Sequence, residues 1–523
     1  KKFDEIDPTR QSIFYNTGSI IEPIQGRQTM DQTQINALRE TAISPQGHLI
    51  DGHTVPASDG GTMDVSSPID GRLLTTMARG TVQDMTHAIA AARAAFDDGR
   101  WAAQPPAARK KVLLKWADLI EAHALELAVL GVRDNGTEIG MAFKAEPLSA
   151  AGSIRYYAEA LDKVYGEIAP TGNDVLALIH REPVGVIGAI IPWNFPLMIG
   201  AWKLGPALAM GNSVVLKPAE TASLSLIRLV ELAHEAGLPP GVLNVVTGQG
   251  AVVGEAMGLS MDVDALVFTG SGATGRRLLD YAARSNLKRI YLELGGKSPN
   301  IVFADAPDLD EAAKVTAMGI FRNSGQVCVA GSRLLVDAAI HDDFVAKVAA
   351  VTRSLRVGDP LDLTNHIGAV NSEVQLAQNL RFMQTARAEG GTIVTGGDQI
   401  LTETGGYYMD PAIVTGVTPQ ATLSQREVFG PVLAVTPFSD EAEAIRIANA
   451  TDYGLAGAVW TSNLSRAHRM VRAVRTGVMH VNTYGGADGT VPLGGVGQSG
   501  NGHDKSLHAL DKYIDLKTAW IKL

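Results

Sequence analysis

Cysteine is almost absent: Cys328 is the only one in 523 residues. A single thiol excludes an intrachain disulfide and any cysteine-rich zinc site. The twelve histidines are scattered. They form no HExxH or similar ligand pattern, so no metal is expected. Long apolar runs are missing too. The longest, VGVIGAIIP at 184–192, falls well short of the ~18 residues of a membrane span and fits a buried strand. Basic residues are outnumbered: net charge is −10 and no basic run is sustained, which makes nucleic acid and anionic membranes poor partners. The N-terminal KKFDEIDPTRQS is charged with no apolar core behind it, so it does not read as a secretory signal and a cytoplasmic location is expected.

What is present suits an enzyme with several cores. The chain is 46% hydrophobic and 19% charged, and its length suggests roughly three domains at about 150 residues each. Residues 1–47 read as a polar extension, with helical character around DQTQINALRETA. Short strands with turn residues follow from residue 48. VQDMTHAIAAARAAFDDG reads as a helix opening after Thr81 as N-cap and ending at Gly99. PAARKKVLLKWADLIEAHALELAVLGVRDNG reads as a longer amphipathic stretch of the same kind. From residue 184, short apolar strands alternate with helices: VGVIGAIIP, SVVLKP, VLNVVTG, ALVFTGS and RIYLELGG are the strands. Repeated βα units of this length predict a parallel sheet covered by helices, with ligands at the carboxyl ends of its strands. A second α/β run extends from about 300 to 480, and HALDKYIDLKTAW closes the chain as a short strand.

Two stretches suggest a dinucleotide. TGSGATG contains GxGxxG (Gly270, Gly272, Gly275) between a strand and a helix, where backbone N–H groups can face a pyrophosphate. The motif sits on the fourth βα unit, and no acidic residue follows in the usual ribose-binding role; alone it is equally well a tight structural turn. Lys217 and Glu220 in LKPAE follow a strand at the same sheet end. A carboxylate there can accept from ribose hydroxyls and repels a 2′-phosphate, which favours NAD over NADP; a solvated Lys–Glu pair is the plainer alternative.

Cys328 lies in FRNSGQVCVAG, and a free cysteine is either a small buried hydrophobe or a nucleophile. Its company decides. PWNFP (192–196), KPAE (217–220), FTGS (268–271), LELGGKSP (292–299), GQVCVAG (325–331) and EVFGP (427–431) occur in one order. Together they closely resemble the NAD(P)-dependent aldehyde dehydrogenase superfamily over about residues 48 to 523.

The resemblance implies an α/β chain with a Rossmann-like NAD domain (48–160 and 181–294) and an α/β catalytic domain (295–497). A small β hairpin (161–180) and terminal segment (498–523) are implied for assembly into a dimer or dimer of dimers. It makes Cys328 the nucleophile, Asn194 an oxyanion donor and Glu293 the base that activates water against a thioester, with Lys203 and Asp504 relaying protons. Asp504 is shorter than the glutamate often found there, so a water in the relay is expected. Cofactor positions carried over are Ile191, Pro192, Trp193, Lys217, Glu220, Gly250, Gly254, Phe268, Thr269, Gly270, Ser271, Gly295, Glu427 and Phe429. Substrate positions are Phe195, Ile199, Trp202, Tyr484 and Asp488. Long stretches, YYAEALDKVYGE among them, resemble the branch oxidising γ-glutamyl-γ-aminobutyraldehyde and other ω-amino aldehydes. Asp488 could meet a substrate amine or be a solvated turn residue, and the Gly-rich TYGGADGT would also admit aromatic or aliphatic aldehydes. LGGVGQSG, with Val496 and Gly497, departs from the family's GGYK-like run and puts subunit contacts or the substrate mouth in question. A cysteine hydrolase would need a histidine base, and none of the histidines sits in a recognisable partner motif.

Overall fold

Strands rich in Val, Ile and Leu build two separate sheets with parallel cores and antiparallel edge strands, and helices cover them. The computed structural model describes residues 30–486 and 488–523; residues 1–29, most of the expected extension, lie outside that range. Of the remainder of that extension, Gln32–Arg39 is helical, capped by Asp31.

The first sheet has eight strands. Its five-stranded parallel core runs in space as Leu243–Val245, Ser213–Lys217, Val186–Ile190, Ala265–Thr269, Arg289–Glu293. In chain order that is 3-2-1-4-5, so the direction of winding reverses beside Val186–Ile190. Every residue of Val186–Ile190 and Ser213–Lys217 is buried, as expected of strands with helices on both faces. The helix Pro196–Ala209 opens with proline in its first turn, where the missing N–H costs nothing, and is buried along almost its whole length.

The expected helix after Thr81 is Val82–Asp97. Thr81 and Asp84 form a reciprocal capping box at its start. The long stretch after residue 105 is two helices, Pro106–Ala122 and Ala124–Asn135. His123 leaves helical geometry between them, and its Nδ1 lies 2.6 Å from Glu126 in the first turn of the second helix.

A second, seven-stranded sheet carries the C-terminal half, with Pro299–Val302 and Arg333–Asp337 at its centre. A third, three-stranded sheet joins Glu167–Ala169, Val175–Pro183 and Ile514–Lys522. The closing strand is therefore nine residues long, more than the short strand expected. The segment from residue 498 does not run straight into it. Gly500–Asn501 first pairs with Leu292 and Glu293 at the edge of the first sheet. Only glycine fits at residue 500, since a Cβ would lie 2.0 Å from the Leu292 carbonyl oxygen.

Candidate active site

Cys328 sits on a loop held in an unfavourable backbone shape. Asn323 and Ser324 both have φ near +50°, a region that non-glycine residues seldom enter. Groups from three other segments hold them there, the side chains of Thr137 and Glu138 and the backbone carbonyls of Asn194 and Gly368. The Asn323 N–H donates to Glu138 Oε1 at 3.0 Å, its Oδ1 accepts from Thr137 at 2.8 Å, and its Nδ2 donates to the Asn194 carbonyl at 3.2 Å. Ser324 Oγ donates to the Gly368 carbonyl. Gly325 (φ +72°) lies so close to Gly430 that a Cβ would sit 2.1 Å from its oxygen. On the other side, a Cβ at Gly296 would lie 2.6 Å from the Cys328 carbonyl oxygen. The loop is thus pressed between the ends of the ELGG and EVFGP segments, and Cys328 emerges half-buried.

Burial, with the Glu427 and Glu293 carboxylates nearby, pushes the Cys328 thiol up to about 12. It is more firmly protonated than an ordinary thiol, because burial and two nearby acids oppose the thiolate.

Asn194 follows the central strand and is 3% exposed. Its Nδ2 donates to the carbonyl of Gln326, two residues from Cys328, at 2.9 Å. Glu293 ends its strand, buried, and its Oε1 has no hydrogen-bond partner among the described residues. Burial, then the Asp504 charge, holds its carboxyl well above the usual range, although Lys203 and Lys512 oppose this. Asp504 contacts Lys203 directly, Nζ to Oδ2 at 2.7 Å, so the short side chain requires no water at this link. Its other oxygen accepts from Lys512. Burial would raise the Asp504 pKa, but the two ammonium groups outweigh it and hold the carboxyl below its ordinary range.

The residues expected to take a dinucleotide cluster at the carboxyl end of the first sheet, beside its reversal point. Ile191 N–H bonds to the Lys217 carbonyl, fixing the Ile191–Trp193 turn onto the next strand. Lys217 pairs with Glu220 at 3.0 Å, and Glu220 Oε1 also accepts from the Gly250 N–H. Burial alone would raise the Glu220 carboxyl, yet Lys217 and the Gly250 amide keep it low and ionised. Gly254 is buried within the turn that follows. Phe268 and Thr269 end their strand, and Gly270 is shaped by the Phe268 ring, which a Cβ would approach to 2.5 Å. Ser271 caps the helix Gly272–Ala283. Gly275 lets that helix close onto Leu292 and Leu294, so the third glycine of the motif serves packing.

These groups fit a dinucleotide. Thr269 Oγ1 is buried without a partner among the described residues. Gly295 leaves room that Glu427 fills, a Cβ there lying 1.9 Å from its carboxylate, and Glu427 Oε1 accepts from Gly296 N–H. Phe429 stands edge-on to Trp193, their centroids 5.2 Å apart.

The expected substrate residues divide. Phe195 and Ile199 are buried at the start of their helix. Trp202 is partly exposed with the Lys505 ammonium 5.7 Å above its ring, so a cation of this chain already lies at that face. Tyr484 packs on Gly331, and its hydroxyl donates to the Val329 carbonyl at 2.8 Å, beside Cys328. Asp488 is exposed and accepts from the Thr490 N–H at 2.8 Å within a turn. Val496 and Gly497 pack against Asp452–Gly454: Val496 N–H donates to the Gly454 carbonyl, and Gly497 lies against the Asp452 carbonyl. Ser499, next to them, donates to the Gly295 carbonyl and braces the ELGG turn.

Sequence reasoning missed Thr137, Glu138, Asn323 and Lys512. The first three act through the shape of the Cys328 loop, which no local pattern announces. Lys512 left only a faint signal, a lysine set between Leu510 and Tyr513, both of which are buried.

The pattern of the aldehyde dehydrogenase family matches residues 55–519. The chain is 50% identical over 475 residues to the NADP/NAD-dependent aldehyde dehydrogenase PuuC of Escherichia coli K12, covering 91% of this chain and 95% of that protein. It resembles the structure of a γ-glutamyl-γ-aminobutyraldehyde dehydrogenase from Burkholderia cenocepacia J2315, with TM-score 0.92 and 49% identity over 94% of this chain and 100% of that one. An indole-3-acetaldehyde dehydrogenase in complex with NAD+ matches equally well, with TM-score 0.93 and 48% identity over 95% and 100%. The Cys328 loop, the buried Glu293 and the cluster at the strand ends thus come with sequence likeness along nearly the whole chain, and the chain belongs to the aldehyde dehydrogenase family.

Proposed function

We propose that this enzyme oxidises ω-amino or γ-glutamyl-amino aldehydes to acids through a thioester on Cys328, with NAD as cofactor. The observation that carries the covalent route is the seating of Cys328 on Gly296. It joins the thiol loop to the strand that ends in Glu293, while Asn194 is tied to the same loop through Gln326.

Asn194 spends one amide hydrogen on Gln326; the second, with the Cys328 N–H, is available to a substrate oxyanion. Losing one such donor typically costs ~10²–10³ in rate. The Cys328 thiol gives its proton to solvent as its sulfur bonds to the aldehyde carbon, and the tetrahedral alkoxide re-forms its C=O bond to give the thioester as hydride leaves. NAD, when bound, supplies the hydride acceptor; Glu220, Thr269, the N-terminus of Gly272–Ala283 and Glu427 would hold it. Glu293, kept basic by its surroundings, takes a proton from the water that attacks the thioester. Cys328 departs as thiolate and the acid is released. In Glu293→Gln, acid quenching after one turnover should leave an acyl group on the peptide containing Cys328. An unmodified peptide would overturn the covalent route.

The amino-aldehyde reading is supported by the named Burkholderia relative and by the acidic Asp488. Aromatic aldehydes are the second reading, favoured by the indole-3-acetaldehyde relative, while Lys505 over Trp202 opposes a second cation at that ring. Ranking kcat/KM across both classes decides between them. Homo-oligomer formation is supported by exposed Ile168, Leu516 and Trp520 on the three-stranded sheet, whose edges need cover.

A further inference from the structure

Asp504 has two carboxylate oxygens, and each is taken by an ammonium group: Oδ2 by Lys203 at 2.7 Å, Oδ1 by Lys512. None of the three side chains is more than 5% exposed. Lys203 comes from the helix Pro196–Ala209, whereas Lys512 ends the helical turn Leu507–Lys512 before the closing strand.

Two ammonium groups around one carboxylate leave an excess positive charge away from water, which is costly unless another anion balances it. Three tyrosines neighbour the cluster: Tyr157 from the helix Ser149–Ala160, Tyr291 from the Glu293 strand, and Tyr513 beside Lys512. Burial drives the Tyr157 and Tyr513 hydroxyls upward, so neither supplies an anion. Lys505 adds positive charge on the same side, lowered by burial to about 8. The remaining acid is Glu293, buried and lacking a partner for Oε1 among the described residues. Burial lowers the Lys512 ammonium, and the Asp504 carboxylate and, more weakly, Glu293 favour its charged form.

We propose that Lys512 is a positioning residue for thioester hydrolysis, a second cation that fixes Asp504 toward Lys203 and balances Glu293 as it becomes ionised. The inference rests on Glu293 as the hydrolytic base. A second cation explains what a single Lys203–Asp504 pair cannot. That pair is neutral and offers Glu293 no net counter-charge, and the Asp504 anion facing Glu293 would oppose its ionisation.

The test is the pH dependence of the two half-reactions in Lys512→Met, Lys512→Gln and Lys512→Arg. In folded Met and Gln variants, the NADH burst should stay within about two-fold, while steady-state turnover at neutral pH falls about ten-fold. The acid limb of turnover should move up by about one pH unit, since removing a nearby cation favours the protonated acid. Lys512→Arg should restore most of the profile. An unmoved acid limb, or burst and turnover falling together, overturns the proposal. Failure of all three variants to fold would assign Lys512 to stability and overturn it equally. Glu293→Gln is run in parallel: normal hydrolysis there would refute Glu293 as base, whereas stalled hydrolysis with an unmoved Lys512→Met profile refutes the Lys512 role alone.

Discussion

Gly296 lies against the main chain of Cys328, so close that a Cβ would stand 2.6 Å from the Cys328 carbonyl oxygen. Real Cβ atoms do not tolerate that approach to backbone, so Gly296→Ala must move the loop or the strand end. A displacement of even ~1 Å can cost ~10² in rate when reacting groups must align. We expect Gly296→Ala to fold with a modest loss of stability, about 1–3 kcal/mol as for other overpacked sites. Its kcat should fall by roughly 10²-fold or more. Steady-state kinetics beside a thermal melt check this; wild-type turnover would mean the contact does not position the thiol.

The state of that thiol gives a second expectation. With burial, Glu427 and Glu293 holding Cys328 up to about 12, its alkylation by iodoacetamide in the cofactor-free enzyme should rise about ten-fold per pH unit from 7 to 10 without levelling. A plateau near the ordinary thiol value of about 8.5 would contradict it. Glu427→Gln should speed alkylation at fixed pH, because Glu427 opposes the thiolate more strongly than Glu293 does.

Glu293 provides the opposite limb. Its carboxyl is held well above the usual range, and a carboxyl can take a proton only when deprotonated. Hydrolysis should therefore fail on acidification at a pH above the ~4.3 of an ordinary glutamate. In Glu293→Gln the first NADH equivalent should still form while steady-state turnover drops by about 10² or more. Rapid-mixing absorbance separates the phases, and an undiminished steady-state rate would show that another group activates water.

How much of this was legible beforehand differs by element. The parallel strands were readable because each is a short Val/Ile-rich run ending in a turn residue, from VGVIGAIIP to RIYLELGG. Their order, 3-2-1-4-5, was not. The split at His123 was invisible to periodicity, since the apolar pattern continues through it and only the backbone changes. Cys328, Glu293 and Asn194 stood out through motifs, yet what holds them did not. Thr137 and Glu138 reach Asn323 across 185 residues or more, and Lys512 reaches Asp504 through a helical turn rather than a motif. Contacts of that kind depend on the packed fold. The glycine motif left open a pyrophosphate site or a structural turn, and its third glycine, Gly275, serves helix packing against Leu292 and Leu294.

Glu220 gives an expectation for coenzyme choice. Its carboxylate is ionised and fastened by Lys217 and the Gly250 N–H, so an anionic 2′-phosphate placed beside it meets like charge. The pairing with Lys217 softens that repulsion. NAD preference should therefore be moderate, and Glu220→Ser should raise kcat/KM for NADP relative to NAD by roughly ten-fold, as for a charge effect of ~1–2 kcal/mol. Wild type favouring NADP would remove Glu220 from the ribose.

The substrate mouth yields the final expectation. Asp488 is exposed and its carboxylate already serves the turn at Thr490, with Lys505 as the nearest opposing charge. An exposed ion pair is worth about 0–1 kcal/mol, so Asp488→Asn should lower kcat/KM for an ω-amino aldehyde by no more than a few-fold. A neutral aldehyde of equal length should be unaffected. Raising the ionic strength should erase the difference, because salt screens exposed charges. Lys505→Met should act in the reverse sense, helping a distal ammonium by freeing the Trp202 face and leaving an aromatic aldehyde little changed. Equal losses for charged and neutral substrates in Asp488→Asn would assign the residue to the turn alone. Faster oxidation of indole-type than of amino aldehydes by wild type would move the substrate reading to the aromatic class.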